Sequence, residues 1–460
     1  MAITEESPLP FAILSKAFNF ATPDEAKWWQ STGPMFAAVV ANAGYDLHIQ
    51  YQFLCLHREL VIPALGPYPR PSNGNDGNGN RRWKSVLTRF GLPFELSVNY
   101  TKSIARFAFE PIGPHTGTAK DPFNTKMIWE VLERFGKIVP DLDLELIRHF
   151  VRELVVSDKE AEVITSQMEY TSVYRTQNKL AVDLNHDGSI LLKTYIYPES
   201  KSFVTGRSRQ QLIFDAIRAA GSYQQRVEAS LSTLEEFLNG SPPSTRSSSG
   251  GTAAATGHSS LEACFLSCDL IARQHSRIKI YFLETQLDYA SLSDIWTVGG
   301  RRHDPETMKG LALLEMLWTT LPSAKGQCSL ANSMSELGTS PPERLPFIIN
   351  FCLHPGDPIP EPQIYFPGFG QNDRALADGL TAFFDRVGMS EVAESYGSQL
   401  QSYYPNQALD RSNHIQAWIS YSSKKNKPYM SVYLHTFETM GHSVDWPRVW
   451  GQGDGDQIPA

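Results

Sequence analysis

Five short segments of the chain alternate between polar and apolar residues with the two-residue period of a β-strand. They span 103–109, 191–197, 277–281, 362–365 and 429–433. Since successive side chains of a strand point to opposite faces, Lys193, Tyr195 and Tyr197 share one face, and the polar residues of the other segments do likewise. The opposite faces carry Leu, Ile, Val, Thr and Met. The pattern therefore predicts strands with one apolar face and one face of cationic, amide and phenolic groups.

Helical spacing of apolar residues predicts eight helices, over 23–44, 125–135, 142–154, 209–219, 224–238, 305–321, 374–387 and 390–404. Thr22 is placed to cap the first of them. The stretches 72–80 and 239–260 are rich in Gly, Asn, Ser and Pro, which predicts flexible loops. Because the strand patterns before and after 239–260 are alike, we expect one domain over residues 1–460.

The polar strand faces have two interpretations. They could be the solvated side of antiparallel sheets, or they could line an interior. Solvated faces usually mix Lys, Glu, Thr and Ser, whereas these segments present Arg, Lys, Gln and Tyr and no carboxylate. Since the apolar faces can pack on the helices, we predict an α+β fold: a closed antiparallel β-barrel surrounded by α-helices, with a wet, cationic lumen.

Composition narrows the class of protein. The 460 residues carry a formal charge of −8, which argues against nucleic acid as the main partner. Five cysteines without CxxC spacing indicate neither a disulfide framework nor a zinc site. The apolar runs are too short to span a membrane, and no secretory leader is recognisable, so we expect a cytoplasmic protein without a membrane partner. The oligomeric state, monomer or homodimer, stays open.

The lumen residues suggest a ligand. Arg106, Lys193, Arg277 and Lys279 in a confined space need an anion, and phosphate or diphosphate fits best. Tyrosine rings beside them can stabilise a carbocation, and this combination is typical of prenyl transfer. The sequence has neither a GxxxxGK[ST] loop nor a DDxxD-type cluster, so basic side chains are expected to replace a metal. We therefore predict no metal site and no cofactor.

Several motifs carry a family resemblance. They are Trp28-Trp29, 31–35, 63–69 (PALGPYP), 91–97 (GLPFELS), 117–124 (GTAKDPFN), 176–183 (TQNKLAVD), 276–281, 294–300 and 361–365. Through them the chain, from about Phe11 to about Phe437, resembles the fungal dimethylallyltryptophan synthase type of indole prenyltransferases. The resemblance implies a single ten-stranded antiparallel barrel of the ABBA type, with a solvent-filled lumen. It also implies metal-independent transfer of a dimethylallyl group from dimethylallyl diphosphate to the indole of tryptophan or a tryptophan-derived alkaloid precursor.

The same resemblance assigns site residues. Glu95 would accept the indole N–H, and Lys179 would take the proton lost from the ring carbon. Val86, Leu87 and Tyr197 would contact the indole together with Glu95. Dimethylallyl diphosphate would be bound and shielded by Arg106, Lys193, Tyr195, Arg277, Lys279, Tyr281, Gln363, Tyr365, Tyr429 and Tyr433.

One position departs from the family pattern. Members that prenylate free tryptophan have an arginine for its carboxylate where this chain has Cys264, in the stretch 264–270 (CFLSCDL). This form resembles members acting on cyclic dipeptides, whereas 176–184 resembles the enzymes for free tryptophan, so the acceptor stays open. A rival hypothesis is a non-catalytic barrel that binds an isoprenoid diphosphate or another phosphorylated ligand. Glu95 and Lys179 separate the two, because a binding protein needs neither proton acceptor.

Overall fold

A computed structural model describes residues 9–69, 82–88, 91–167, 170, 172, 175–240, 261–284, 288–322 and 346–436. The predicted loop near 72–80 lies outside the described residues, as does the loop near 239–260 apart from Asn239 and Gly240.

Ten antiparallel strands close into one barrel. They are β1 Phe94–Asn99, β2 Ile104–Phe109, β3 Asn178–Leu184, β4 Ile190–Ile196, β5 Glu262–Asp269, β6 Ile278–Glu284, β7 Phe347–Leu353, β8 Glu361–Pro367, β9 Gln416–Lys424 and β10 Lys427–Leu434. Each strand pairs with its neighbours in the sequence, and β1 closes the barrel on β10. The prediction of a closed antiparallel barrel is therefore confirmed. The five segments with polar faces are β2, β4, β6, β8 and β10, and the structure adds every odd-numbered strand.

Thirteen α-helices lie within the described residues. They are α1 Leu9–Ala17, α2 Pro23–Asn42, α3 Leu47–Leu56, α4 Met127–Gly136, α5 Glu145–Leu154, α6 Asp158–Gln167, α7 Glu199–Thr205, α8 Arg209–Arg218, α9 Gln224–Leu238, α10 Tyr289–Thr297, α11 Pro305–Thr320, α12 Asp373–Arg386 and α13 Ser390–Tyr403. All eight predicted helices are among them. Thr22 caps α2 as predicted, since its Oγ1 accepts a hydrogen bond of 3.1 Å from the Glu25 amide. No described helix has the length and apolar character needed to cross a bilayer.

The core lies between the barrel and the helices. Phe36 of α2 packs edge to face on Phe107 of β2, with ring centroids 5.8 Å apart. On the other side, Trp318 of α11 stacks on Phe347 of β7 at 5.9 Å. Because the apolar strand faces are covered in this way, the polar faces are left to line the lumen.

Candidate active site

All ten residues predicted to bind the donor line one enclosed cavity inside the barrel, together with Glu95 and Lys179. The cavity has a volume of about 100 Å³ and is walled largely by long side chains. A larger open groove of about 760 Å³ lies outside the barrel beside α5 and contains none of these residues. The alternating strand faces therefore meet in the lumen, as the sequence pattern predicts.

Six basic side chains line the cavity: the four expected to bind the diphosphate, Arg106, Lys193, Arg277 and Lys279, and in addition Lys179 and Lys424. Arg106 donates from Nη2 to the Tyr429 hydroxyl at 2.7 Å and from Nη1 to Ser431 Oγ at 3.0 Å. Lys279 donates from Nζ to the amide oxygen of Gln363 at 3.0 Å. These bonds hold the cations inside the lumen, where a confined anion could reach them.

Carboxylates line the cavity as well, namely Glu95, Asp183, Asp269 and Glu361, although the five alternating segments themselves present none. Asp183 Oδ1 lies 3.0 Å from Arg106 Nε, and its other oxygen contacts Lys193 Nζ. Asp269 Oδ2 accepts a hydrogen bond of 2.7 Å from Arg277 Nε. Asp183 and Asp269 lie on the odd-numbered strands β3 and β5, outside the five alternating segments.

The charges in this cavity shift one another's pKa values. Burial acts to raise the pKa of Asp183, but Lys193 and Arg106 outweigh it and hold that pKa well below its usual range. Burial lowers the pKa of Lys279 to about 8, and the nearby Arg277 and Lys193 add to the effect. Lys279 is therefore the cation whose charge depends on pH near neutrality.

Four tyrosines form a row along the lumen wall. The centroid distances are 5.8 Å from Tyr195 to Tyr281, 6.2 Å from Tyr281 to Tyr365 and 5.7 Å from Tyr365 to Tyr433. Burial raises the pKa of each of these phenols, so they stay protonated and can donate hydrogen bonds. Their ring faces provide the electron-rich surface that an allylic cation needs.

Glu95 and Lys179 are both placed in this lumen. Glu95 is only 5% exposed, and burial raises its pKa to about 7, although Lys179 acts in the opposite direction. Lys179 lies opposite Tyr195 in the β3–β4 pair, with Nζ 4.5 Å from the centroid of that ring. Burial lowers the pKa of Lys179, while Glu95 and Glu110 oppose the shift. Both groups can therefore exchange protons closer to neutrality than their free forms.

A family model described as tryptophan dimethylallyltransferase matches residues 24–399. The chain belongs to this family. The tryptophan dimethylallyltransferase of Arthroderma otae is 41% identical over 95% of this chain and 93% of its own length. That of Penicillium roqueforti is 41% identical over 96% of this chain and 90% of its own length. The predicted family is confirmed.

Solved structures agree with this membership. AnaPT from Neosartorya fischeri is similar with a TM-score of 0.79 and 31% identity, covering 93% of this chain and 98% of that one. NotF, solved in complex with brevianamide F and DMSPP, is similar with a TM-score of 0.76 and 30% identity, covering 93% of this chain and 98% of that one. The predicted prenyltransferase barrel is therefore confirmed.

Of the four residues that the family resemblance assigns to the indole, only Glu95 lines the cavity, and Val86, Leu87 and Tyr197 lie outside its lining. Tyr197 follows β4 and packs on Phe265, with centroids 4.8 Å apart. Val86 and Leu87 lie in the segment 82–88, where the Val86 amide donates to Thr176 Oγ1 at 3.1 Å. Val86 is 37% exposed and Leu87 is buried.

Glu110 is a residue of this region that the sequence analysis missed. It follows β2 and is fully buried. Its carboxylate accepts hydrogen bonds from Trp83 Nε1 at 2.9 Å, Asn124 Nδ2 at 3.1 Å and Thr176 Oγ1 at 2.9 Å. Burial nevertheless raises its pKa to about 7. Glu110 thus ties the segment 82–88 to the barrel.

The motif 117–124 packs against the same segment. Gly117 has a φ of +73°, and a Cβ built there would lie 2.7 Å from the carbonyl oxygen of Arg82. Only glycine fits both the left-handed backbone and this close approach. Asn124, at the other end of the motif, also has a positive φ, of 52°. The motif 117–124 therefore packs against the segment 82–88 and helps to hold it in place.

Cys264 lies at an irregularity of β5, where the register with β6 shifts between Ala263 and Phe265. Its Sγ donates to the Glu262 carbonyl at 3.3 Å, and burial raises the pKa of the thiol to about 12. Arg209 also acts electrostatically on this thiol, but it is ion-paired to Glu199 at 2.6 Å and to Glu262. The position therefore presents a neutral thiol.

Proposed function

We propose that this chain transfers a dimethylallyl group from dimethylallyl diphosphate to the indole ring of tryptophan or a tryptophan-derived compound, without a metal ion. The main support is that one lumen brings together four cations, a row of four tyrosines, the buried Glu95 and the partly buried Lys179. We assign the activity to the whole chain, 1–460, as one domain. The cysteine-poor composition supports a reducing compartment, the cytoplasm.

The donor would bind with its diphosphate among Arg106, Lys193, Arg277 and Lys279. Breaking the C–O bond leaves the electron pair on diphosphate and creates an allylic cation. The basic side chains stabilise the negative charge that develops on the leaving group. The tyrosine row stabilises the cation through its ring faces and excludes water that would capture it.

The acceptor would lie between the cation and the pair of proton acceptors. A ring carbon of the indole attacks the allylic cation, a new C–C bond forms, and positive charge appears on the indole nitrogen. Glu95 in its ionised form accepts the N–H and stabilises that charge. Lys179 in its neutral form then takes the proton from the substituted ring carbon, which restores the aromatic ring.

Basic side chains would take the role that magnesium has in other diphosphate sites. The lumen carboxylates Asp183 and Asp269 are ion-paired to cations, so their oxygens are engaged. Among the described residues, no group of three or more His, Cys, Asp or Glu could hold a metal. The charge that would neutralise diphosphate therefore comes from Arg and Lys.

The residue at position 264 is expected to influence whether the acceptor carries a free carboxylate. A neutral thiol does not bind a carboxylate as a guanidinium does. We therefore expect Cys264→Arg to favour free tryptophan over a tryptophan-containing cyclic dipeptide, measured as the ratio of the two kcat/KM values. An unchanged ratio would contradict a role for this position in acceptor choice.

One experiment tests the function. The protein is incubated with dimethylallyl diphosphate and a panel of tryptophan, cyclic dipeptides and ergoline-type indoles, in excess EDTA or in magnesium, and products are identified by NMR. We expect one prenylated indole and similar turnover in both buffers, with Glu95→Ala as the background control. Loss of turnover in EDTA would contradict the metal-free mechanism, and no prenylated product from any indole would contradict the function. Sedimentation of the same preparation distinguishes monomer from homodimer.

A further inference from the structure

Asp183 lies between two of the basic residues that are proposed to bind diphosphate, Arg106 and Lys193. It lies opposite Arg106 in the β2–β3 pair, and its two carboxylate oxygens contact Arg106 and Lys193 separately. The side chains involved are only 14% to 15% exposed. One internal carboxylate therefore bridges two of the four cations.

The guanidinium of Arg106 is largely engaged by the protein. Two of its nitrogens donate to Tyr429 and Ser431. Its Nε lies 3.0 Å from Asp183 but makes no aligned hydrogen bond. The two charges attract each other, but the Nε–H of Arg106 is not used as a hydrogen-bond donor. A phosphate oxygen could therefore replace Asp183 at this N–H with a better aligned hydrogen bond.

Asp269, the last residue of β5, is a second carboxylate beside one of the cations, Arg277, which immediately precedes β6. Its carboxylate is 7% exposed and accepts a hydrogen bond of 2.7 Å from Arg277 Nε. Lys279 differs, because it donates to the neutral amide of Gln363. Three of the four cations therefore have a carboxylate partner that a bound diphosphate must displace or share.

We propose that Asp183 and Asp269 are internal counter-ions that compete with diphosphate for Arg106, Lys193 and Arg277, and so limit how tightly the product diphosphate is retained. The inference rests on the proposed function, in which diphosphate is the leaving group. Four unopposed cations would hold this anion strongly, and slow product release would then limit turnover. The carboxylates also compensate the buried cations while the lumen is empty.

The test uses inorganic diphosphate as the probe and the full-length protein. Calorimetry measures its affinity for the wild type, Asp183→Asn, Asp269→Asn and the control Glu162→Gln, which removes an exposed charge on α6. We expect each Asp→Asn variant to bind diphosphate at least about tenfold more tightly than the wild type, with stronger product inhibition. Each variant should also have a lower Tm without ligand and a larger Tm increase with diphosphate.

Equal or weaker diphosphate binding by the Asp→Asn variants would overturn the inference, because it would mean that the aspartates only position the cations. If Asp183→Asn does not fold, the diphosphate affinity of Asp269→Asn, which frees Arg277, is sufficient to decide the outcome. A gain in affinity in Glu162→Gln of the same size would also overturn it, since the effect would then come from net charge. Failure of the proposed function is recognised separately, because the wild type would then form no prenylated indole from dimethylallyl diphosphate, whether or not it binds inorganic diphosphate.

Discussion

The replacement Glu95→Gln is expected to stabilise the protein while it abolishes most of the activity. The side chain is buried at the lumen wall, and its pKa rises from 4.5 to about 7 on folding. Since a tenfold change in proton affinity is worth about 1.4 kcal/mol, ionised Glu95 costs the folded state about 3 kcal/mol. Glutamine has nearly the same shape and carries no charge, so it avoids this cost.

The stability gained by Glu95→Gln should depend on pH, because folding raises the pKa of Glu95. Below pH 4.5 the carboxyl is protonated in both the folded and the unfolded chain, and the two proteins should be equally stable. As the pH rises from 4.5 to 7, the unfolded wild type releases the proton that the folded one keeps, so wild-type stability falls. The advantage of Glu95→Gln should therefore grow over this range and level off at about 3 kcal/mol above pH 7.

Activity should change in the opposite direction. The interaction of ionised Glu95 with the indole N–H strengthens as charge develops on the ring, so Glu95→Gln should lower kcat by about 100-fold with a smaller effect on the acceptor KM. Urea unfolding at pH 6 and pH 8 measures stability, and product formation measures kcat, with Glu162→Gln as the surface control. Near wild-type kcat would refute Glu95 as the N–H acceptor. A loss of stability at pH 8 would refute the argument from burial.

Three further results are expected. Lys279→Ala should weaken donor binding. We expect wild-type donor affinity to decline as the pH rises above about 8, where Lys279 loses its proton, and calorimetry against pH should find no such decline in Lys279→Ala; a decline of the same size in the variant would contradict this role. Glu110→Ala should destabilise the fold by about 2 kcal/mol or more in urea unfolding and raise the acceptor KM, because buried donors lose their acceptor, whereas unchanged values would argue against its role. Gly117→Ala should cost about 1 to 3 kcal/mol and exceed Gly388→Ala, since both glycines have positive φ but only Gly117 is crowded, by Arg82.

The alternating pattern of the even-numbered strands was visible in the sequence because their lumen-facing residues are large and polar. The odd-numbered strands present small groups at the same level, such as Ser97, Ala181, Asn350 and Ser420. Small barrels often alternate large and small residues to fill a narrow interior. Strands such as β7, whose lumen face carries Asn350 among apolar residues, therefore show little of the contrast that a two-residue period needs.

The sequence could predict that the residues proposed to bind the donor share strand faces, since strand alternation decides which side chains lie on one face. Their proposed role came from the family resemblance. The partners of these residues could not be predicted from the sequence. Asp183 meets Arg106 and Lys193 only because β3 pairs with both β2 and β4 in a particular register. Register depends on the packing of the whole barrel, and a shift by one residue would turn the carboxylate outward.

The pKa values of the two proton acceptors, Glu95 and Lys179, also depend on the tertiary structure. Glu95 and Lys179 are recognisable in the sequence only through the motifs around them, and an isolated glutamate or lysine has an ordinary pKa. Closure of the barrel buries both side chains and brings each within the electrostatic influence of the other. Residue types determine which groups can carry charge, whereas burial and proximity, which only the folded chain provides, determine at what pH they carry it.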